Sequence, residues 1–264
     1  MSDLRSPAPA TGFELPGSGY HDPVPNRAAM FGWLAVCGGL VAAIAVVTLD
    51  VLLGGEPVRG RTRRLQTISE YVYSSGAWAF DIGVVALAAG SAALILGLVC
   101  RRLVTPISPG SIFLTLWVFG LAGIVAFPKH NWAIGPSGSG TVHRVASLIA
   151  FLAGPVAVLL IARRHRDSGV ARAAFWLAIG GLAFLGVLVG AIVTAAVTGG
   201  SWWQLIPLGL VERGITGFDV AAVVALGVWV IRGDQPALSR LERPSGRRAR
   251  KQHTLGQTDG RTCM

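Results

Sequence analysis

Six apolar stretches, at about residues 28–53, 77–99, 111–127, 143–162, 173–198 and 215–231, leave this chain few ways to fold. Each approaches the roughly 20 residues a helix needs to cross a hydrocarbon core. In that medium the backbone must satisfy its own hydrogen bonds, so each stretch is expected to be a helix. With 52% of residues hydrophobic and 14% charged, a soluble domain with a polar surface is excluded. The expectation is an all-α, polytopic membrane bundle of six transmembrane helices over 28–232, flanked by two tails. The N-terminal tail, 1–27, is rich in proline and glycine, and the C-terminal tail, 233–264, is basic. Neither has enough apolar surface to fold. The first apolar run is too long for the core of a cleavable signal and reads as a retained anchor.

Arginine and lysine set the expected orientation. With N- and C-termini cytoplasmic, the inner segments hold 16 of the 23 basic residues and the outer segments seven. That is the positive-inside bias, which favours this topology; the cell inner (plasma) membrane is the expected location. The outer count includes the run RGRTRR at 59–64. The basic run GRRARK at 246–251 reads as a solvated, topology-setting tail or as attraction to anionic lipid. Membrane lipids, and not nucleic acid, are the expected partners. Cys37, Cys100 and Cys263 show no zinc spacing, so neither a disulfide nor a thiolate metal site is expected.

Alternate threading brings Asp50, Glu70, Asp81, Glu212 and Asp219, with His143, to one end of the bundle, the outer end in this orientation. Charge at membrane depth is expensive and marks a function or a specific packing pair. A second helix starting at Ser69 would put Glu70, Ser74, Ala77 and Asp81 on one face. Glu212, Thr216 and Asp219 repeat that stripe on the last span. His143 is read as opening span four, beside Arg144 and one turn before Ser147. Gly135, Pro136, Gly138 and Gly140 in the preceding loop are expected to forbid regular structure, while Lys129 and His130 bring cations to the rim. Trp202 and Trp203 fit an interfacial aromatic belt, and Pro207 should interrupt any helix there.

Each of these residues has a plainer use. Glu212 with Arg213, and Glu70 with Arg63 or Arg144, could be ion pairs that lock helix ends. His143 could be a cap, and Asp50 an interfacial residue with no role. The functional reading favoured here is an outer polar pocket that binds a lipid headgroup or small ligand, with Arg144, Arg213 and Lys129 available to phosphate. A membrane-embedded hydrolase is the alternative, metal-dependent in one form, with zinc held by His143 and Glu70, Glu212 or Asp81. No HExxH pair supports it. A proton-coupled transporter is the second alternative, opposed by the lack of acids in the inner half. The candidate ligand-binding set is Glu70, Asp81, His143, Arg144, Glu212, Arg213 and Asp219. No pattern names a catalytic residue, a cofactor or an oligomeric state.

The stretches ISEYVYSSGAWAFDIGVVALAAG (68–90), FPKHNWAIGPSGSGTVHRVASLIAF (127–151) and GLVERGITGFDVAAVVALGVW (209–229) together resemble the domain of unknown function 998 family of bacterial and archaeal membrane proteins. The resemblance covers about residues 30–232. Its features are the pair Ser69–Glu70 before span two, Phe127–Pro128 followed by His143, and the Gly209, Leu210, Glu212, Arg213 opening of the last span. Many members carry an acid shortly after the Phe–Pro pair, where this chain has Lys129 and His130. The resemblance implies a six-helix fold with no established activity, and puts Glu70, His143, Glu212 and Arg213 first among the candidates.

Overall fold

The computed structural model describes residues 27–58, 61–62, 65–131 and 134–233. Apart from Arg27 and Gly233, both expected tails, with Cys263, and most of the 59–64 basic run lie outside these residues. Seven helices form: α1 (Arg27–Leu52), α2 (Ala77–Cys100), α3 (Pro109–Ala126), α4 (Gly138–Ala162), α5 (Gly169–Thr198), the single turn α6 (Trp202–Leu205) and α7 (Leu208–Arg232). All but α6 are long and apolar enough to cross a membrane. The protein is an all-α multi-pass membrane bundle. Besides these helices, the described residues form two 3₁₀ segments, Ile68–Tyr73 and Arg163–His165, and a two-residue strand pair, Pro57–Val58 against Arg61–Thr62.

The surface carries the signature of lipid as solvent. Ile44, Val47, Phe119 and Val193 are each more than half exposed, at helix positions where a water-soluble bundle would be polar. The interior, by contrast, is made of small residues. The buried face of α1 includes Ala28, Gly32, Ala35, Gly38 and Ala42, which let its backbone approach α2 and α7. A methyl group at Gly38 would lie 2.4 Å from the carbonyl oxygen of Ala86, so α1 and α2 touch backbone to backbone there. Without a hydrophobic drive between helices in lipid, such close van der Waals packing is what holds spans together. α3 packs along α4, and α7 lies against both α1 and α5.

Helix ends follow the local chemistry. Ser108, Ser137 and Ser168 cap α3, α4 and α5 by accepting backbone N–H bonds, and Pro109 sits in the first turn of α3. Gly199 and Gly233 take left-handed conformations that end α5 and α7. Next to Gly233, Arg101 donates to the carbonyls of Val230 (3.0 Å) and Ile231 (3.4 Å), satisfying α7's last turn.

Two expected helix starts are corrected. The segment before α2 does not join it: Ile68–Tyr73 forms a separate 3₁₀ turn. Ser74 breaks the chain there, donating to the Tyr71 carbonyl (2.7 Å) and accepting from Gly76 N–H (3.1 Å), side-chain bonds that compete with helix continuation. Glu70 and Asp81 therefore do not share a helix face. Conversely, α4 begins five residues before His143, because the Ser137 cap on Gly140 N–H (3.1 Å) offsets the glycines expected to keep this segment irregular. Pro207 does separate α6 from α7, as expected.

Candidate functional site

The loops at the Leu52/Ala77, Ala126/Gly138 and Thr198/Leu208 end of the bundle converge on Arg213. Its guanidinium donates from Nε (2.8 Å) and Nη2 (2.7 Å) to the two Asp50 carboxylate oxygens. Nη1 reaches the carbonyls of Gln66 and Gly209, both at 2.9 Å, and Nη2 also meets Tyr71 Oη at 3.4 Å. All five N–H groups are used. Tyr71 Oη in turn donates to Asp50 Oδ1 at 2.6 Å. Tyr71 is fully buried, and burial followed by the adjoining Asp50 carboxylate pushes its phenol up to about 12. It stays a neutral donor at physiological pH. The carbonyl of Gln66 comes this close only because residue 209 is glycine, where a Cβ would lie 2.2 Å from that oxygen.

A second frame surrounds the first. Lys129 Nζ bonds Glu70 Oε1 at 3.1 Å and also Thr67 Oγ1, while its carbonyl accepts from Tyr73 Oη. His130, expected as a rim cation, is buried and uses Nδ1 to accept from Ser137 N–H at 2.8 Å. Glu212 is not the partner of Arg213. One of its oxygens accepts the Ile68 N–H at 2.5 Å, and no second hydrogen bond to it forms among the described residues. Its charged neighbours are Lys129, Arg213 and Glu70.

His143 is buried two turns into α4, with Nδ1 3.1 Å from the Ile124 carbonyl and 2.9 Å from that of Phe127. Carbonyl oxygens only accept, so Nδ1 carries the hydrogen. Nε2 is buried with no partner among the described residues. The same holds for both oxygens of Asp219, near the middle of α7, where one oxygen faces Gly181 of α5.

These side chains border a cavity of about 540 Å³ between α1, α2, α3, α4 and α7. Asp50, Ser69, His143, Glu212, Arg213 and Thr216 line its polar end; Phe80, Leu87, Trp117, Leu121, Phe151 and Val224 are among its apolar walls. Trp117 is fixed at the wall by donating to Ser91 Oγ at 2.9 Å. Asp219 also lines the cavity.

The family described as "Protein of unknown function (DUF998)" matches residues 36–229, nearly the whole span from α1 to α7. The chain belongs to the DUF998 family. No curated protein and no solved structure matches it.

Within this DUF998 bundle the residues singled out from sequence divide. His143, Glu212, Arg213 and Asp219 line the cavity, and Glu70 lies behind it, held by Lys129 and adjacent to the lining Ser69. Asp81 is half-buried on α2 and Arg144 is exposed on α4; neither lines it. Glu70 pairs with Lys129 rather than with Arg144. The expectation that Asp50 has no role is overturned, since it is the main partner of Arg213. Tyr71, Gln66 and Thr67 were not singled out. The only sequence hint was their place just before span two. Among the described residues no group of three or more His, Cys, Asp and Glu stands close enough to hold a metal ion.

Two outcomes follow for this DUF998 protein. Breaking a buried ion pair from one side costs about 3–5 kcal/mol; with both side chains 13–19% exposed, Asp50→Asn is expected at the low end, about 3 kcal/mol, read as a fall in thermal midpoint in detergent. Because the Tyr71 phenol is raised from 10.0 to about 12 in the fold, its contribution is fully present below pH 10.0 and is lost as pH rises through about 12. Comparing alkaline unfolding of the parent with Tyr71→Phe should show a smaller loss in the variant across that window.

Proposed function

We propose that the cavity binds an amphiphile, with its apolar chain among Phe80, Leu87, Trp117, Leu121 and Val224 and its polar head against His143, Glu212 and Thr216. One observation carries this reading: a single cavity joins a polar end to an apolar chamber inside a bundle bathed in lipid. Ligand sites take this form, with mostly apolar walls and a few convergent polar groups that fix orientation. A volume of about 540 Å³ falls in the range of sites for molecules of that size. The role is binding, not catalysis. The hydrolytic alternative lacks a metal-ligand group among the described residues, and a carrier would need polar groups lining a path toward the other end, where Arg101 donates to the carbonyls of Val230 and Ile231 and His165 meets that of Leu103.

The reading further takes the protein to lie in the plasma membrane, and the distribution of basic residues supports both termini inside and the polar end outside the cell. Six crossings return the chain to its starting side, so one label fixes all. A cysteine placed at 167 should resist an impermeant thiol reagent in intact cells and react after permeabilisation. Labelling in intact cells would reverse the orientation.

Occupancy is tested by filling the polar end. Ser147 lines the cavity beside His143 and spends its hydroxyl on that residue's carbonyl (2.9 Å), so its loss frees no distant group. Parent protein in a sugar-headed detergent should gain thermal stability when membrane lipid extract is added, by ligand linkage. Ser147→Phe should keep a midpoint within a few degrees of the unliganded parent and lose most of that gain. An equal gain in both proteins would sink the proposal.

A further inference from the structure

The polar end of the cavity is built to receive hydrogen-bond donors. Arg213, the nearest candidate for a phosphate, has all five N–H groups committed to Asp50, Tyr71, Gln66 and Gly209. Lys129 is held by Glu70 and Thr67. Arg144 is exposed and lies off the cavity lining.

What remains open along the lining is chiefly acceptor, with the Thr216 hydroxyl able both to donate and to accept. Glu212 has one oxygen beyond the Ile68 bond. His143 spends its N–H on two carbonyls, so Nε2 of the neutral ring offers a lone pair, buried and unpartnered. Charge points the same way. Asp50 is neutralised by Arg213 and Glu70 by Lys129, which leaves the Glu212 carboxylate without an ion-pair partner among the described residues. A phosphate there would meet a carboxylate and a lone pair, with no free cation and only the Thr216 hydroxyl to donate to its oxygens. We infer that the amphiphile taken up by this cavity carries an ammonium head, donating to Glu212 and to Nε2 of His143, rather than a phosphate-only head. This deepens the amphiphile reading and rests on it.

The test uses the full chain in a sugar-headed detergent near neutral pH, titrated with three probes of equal chain length: dodecylamine, dodecanol and dodecyl phosphate. A charge-assisted hydrogen bond is worth about 1.5–3 kcal/mol, so the amine should stabilise the fold at roughly ten- to hundredfold lower concentration than the alcohol. The phosphate should do no better than the alcohol. In Glu212→Gln, which keeps an oxygen for Ile68 N–H, the amine should lose its advantage. If that variant fails to fold, the probe series on the parent still decides. Ser147→Phe should lose the amine effect, which separates binding in the cavity from general action of a cationic detergent.

Phosphate matching or exceeding amine, or amine equal to alcohol, would overturn the head assignment while leaving amphiphile binding intact. No shift with any probe would remove both readings. Competition by nanodiscs containing phosphatidylethanolamine, but not phosphatidylcholine alone, would assign the ammonium to a membrane lipid. Competition by neither would assign it to an amphiphilic amine from outside the bilayer.

Discussion

Arg213 can be charged at this depth only because five acceptors are delivered to it, and that requirement organises one whole end of the bundle. An unpaired guanidinium out of water costs several kcal/mol, and the cost is recovered only when geometry satisfies every N–H. The acceptors come from α1 (Asp50), the loop before α2 (Gln66, Tyr71) and α7 itself (Gly209). Residues 66–71 thus cannot wander. Their position brings Ile68 N–H to Glu212 and places Thr67 and Glu70 where Lys129 meets them. One desolvated cation therefore fixes a loop, and the loop fixes the next two charges.

The polar groups at this end divide into structural and available. The Asp50–Arg213 and Glu70–Lys129 pairs are closed, each charge answered by a neighbour. Glu212 and the Nε2 of His143 are held in place by one set of bonds and left open on the other side. A folding need would explain the first group alone. Orienting a side chain by backbone partners while leaving its second polar atom unmatched has an energetic cost, and such local costs are a feature of binding sites. Asp219 stands apart. It is deeper, with both oxygens unpartnered, and it faces the small residue Gly181 rather than an acceptor or a cation.

The helices were legible in the sequence because their signal is redundant: some twenty apolar residues per span outweigh any single misread position. Their ends were not. Ser74 and Ser137 decide where α2 and α4 start through one or two hydrogen bonds each, and a serine in sequence does not show which backbone group it will meet. The candidate site was half legible for the same reason. Threading brought His143, Glu212 and Arg213 to one end, while Asp219 lies deeper, near the middle of α7. Which acid answers which base depends on side-chain direction: adjacent residues on a helix point about 100° apart, so Glu212 and Arg213 face different partners despite being neighbours in sequence. Asp50 was undervalued because its partner lies 163 residues away.

The apolar chamber has a different physical meaning here than it would in a soluble protein. In water, burying an alkyl chain against Leu87, Leu121 and Val224 would itself drive binding. In a bilayer the chain is already among apolar neighbours, and transfer into the cavity exchanges one hydrocarbon contact for another. An empty cavity still forfeits dispersion along its walls, which favours some occupant but is nearly indifferent to which. Selection must then come from the polar end, where groups taken out of water gain or lose whole hydrogen bonds. It follows that wall substitutions which change the volume should alter which chain length fits, whereas Glu212 and His143 decide which head is admitted at all.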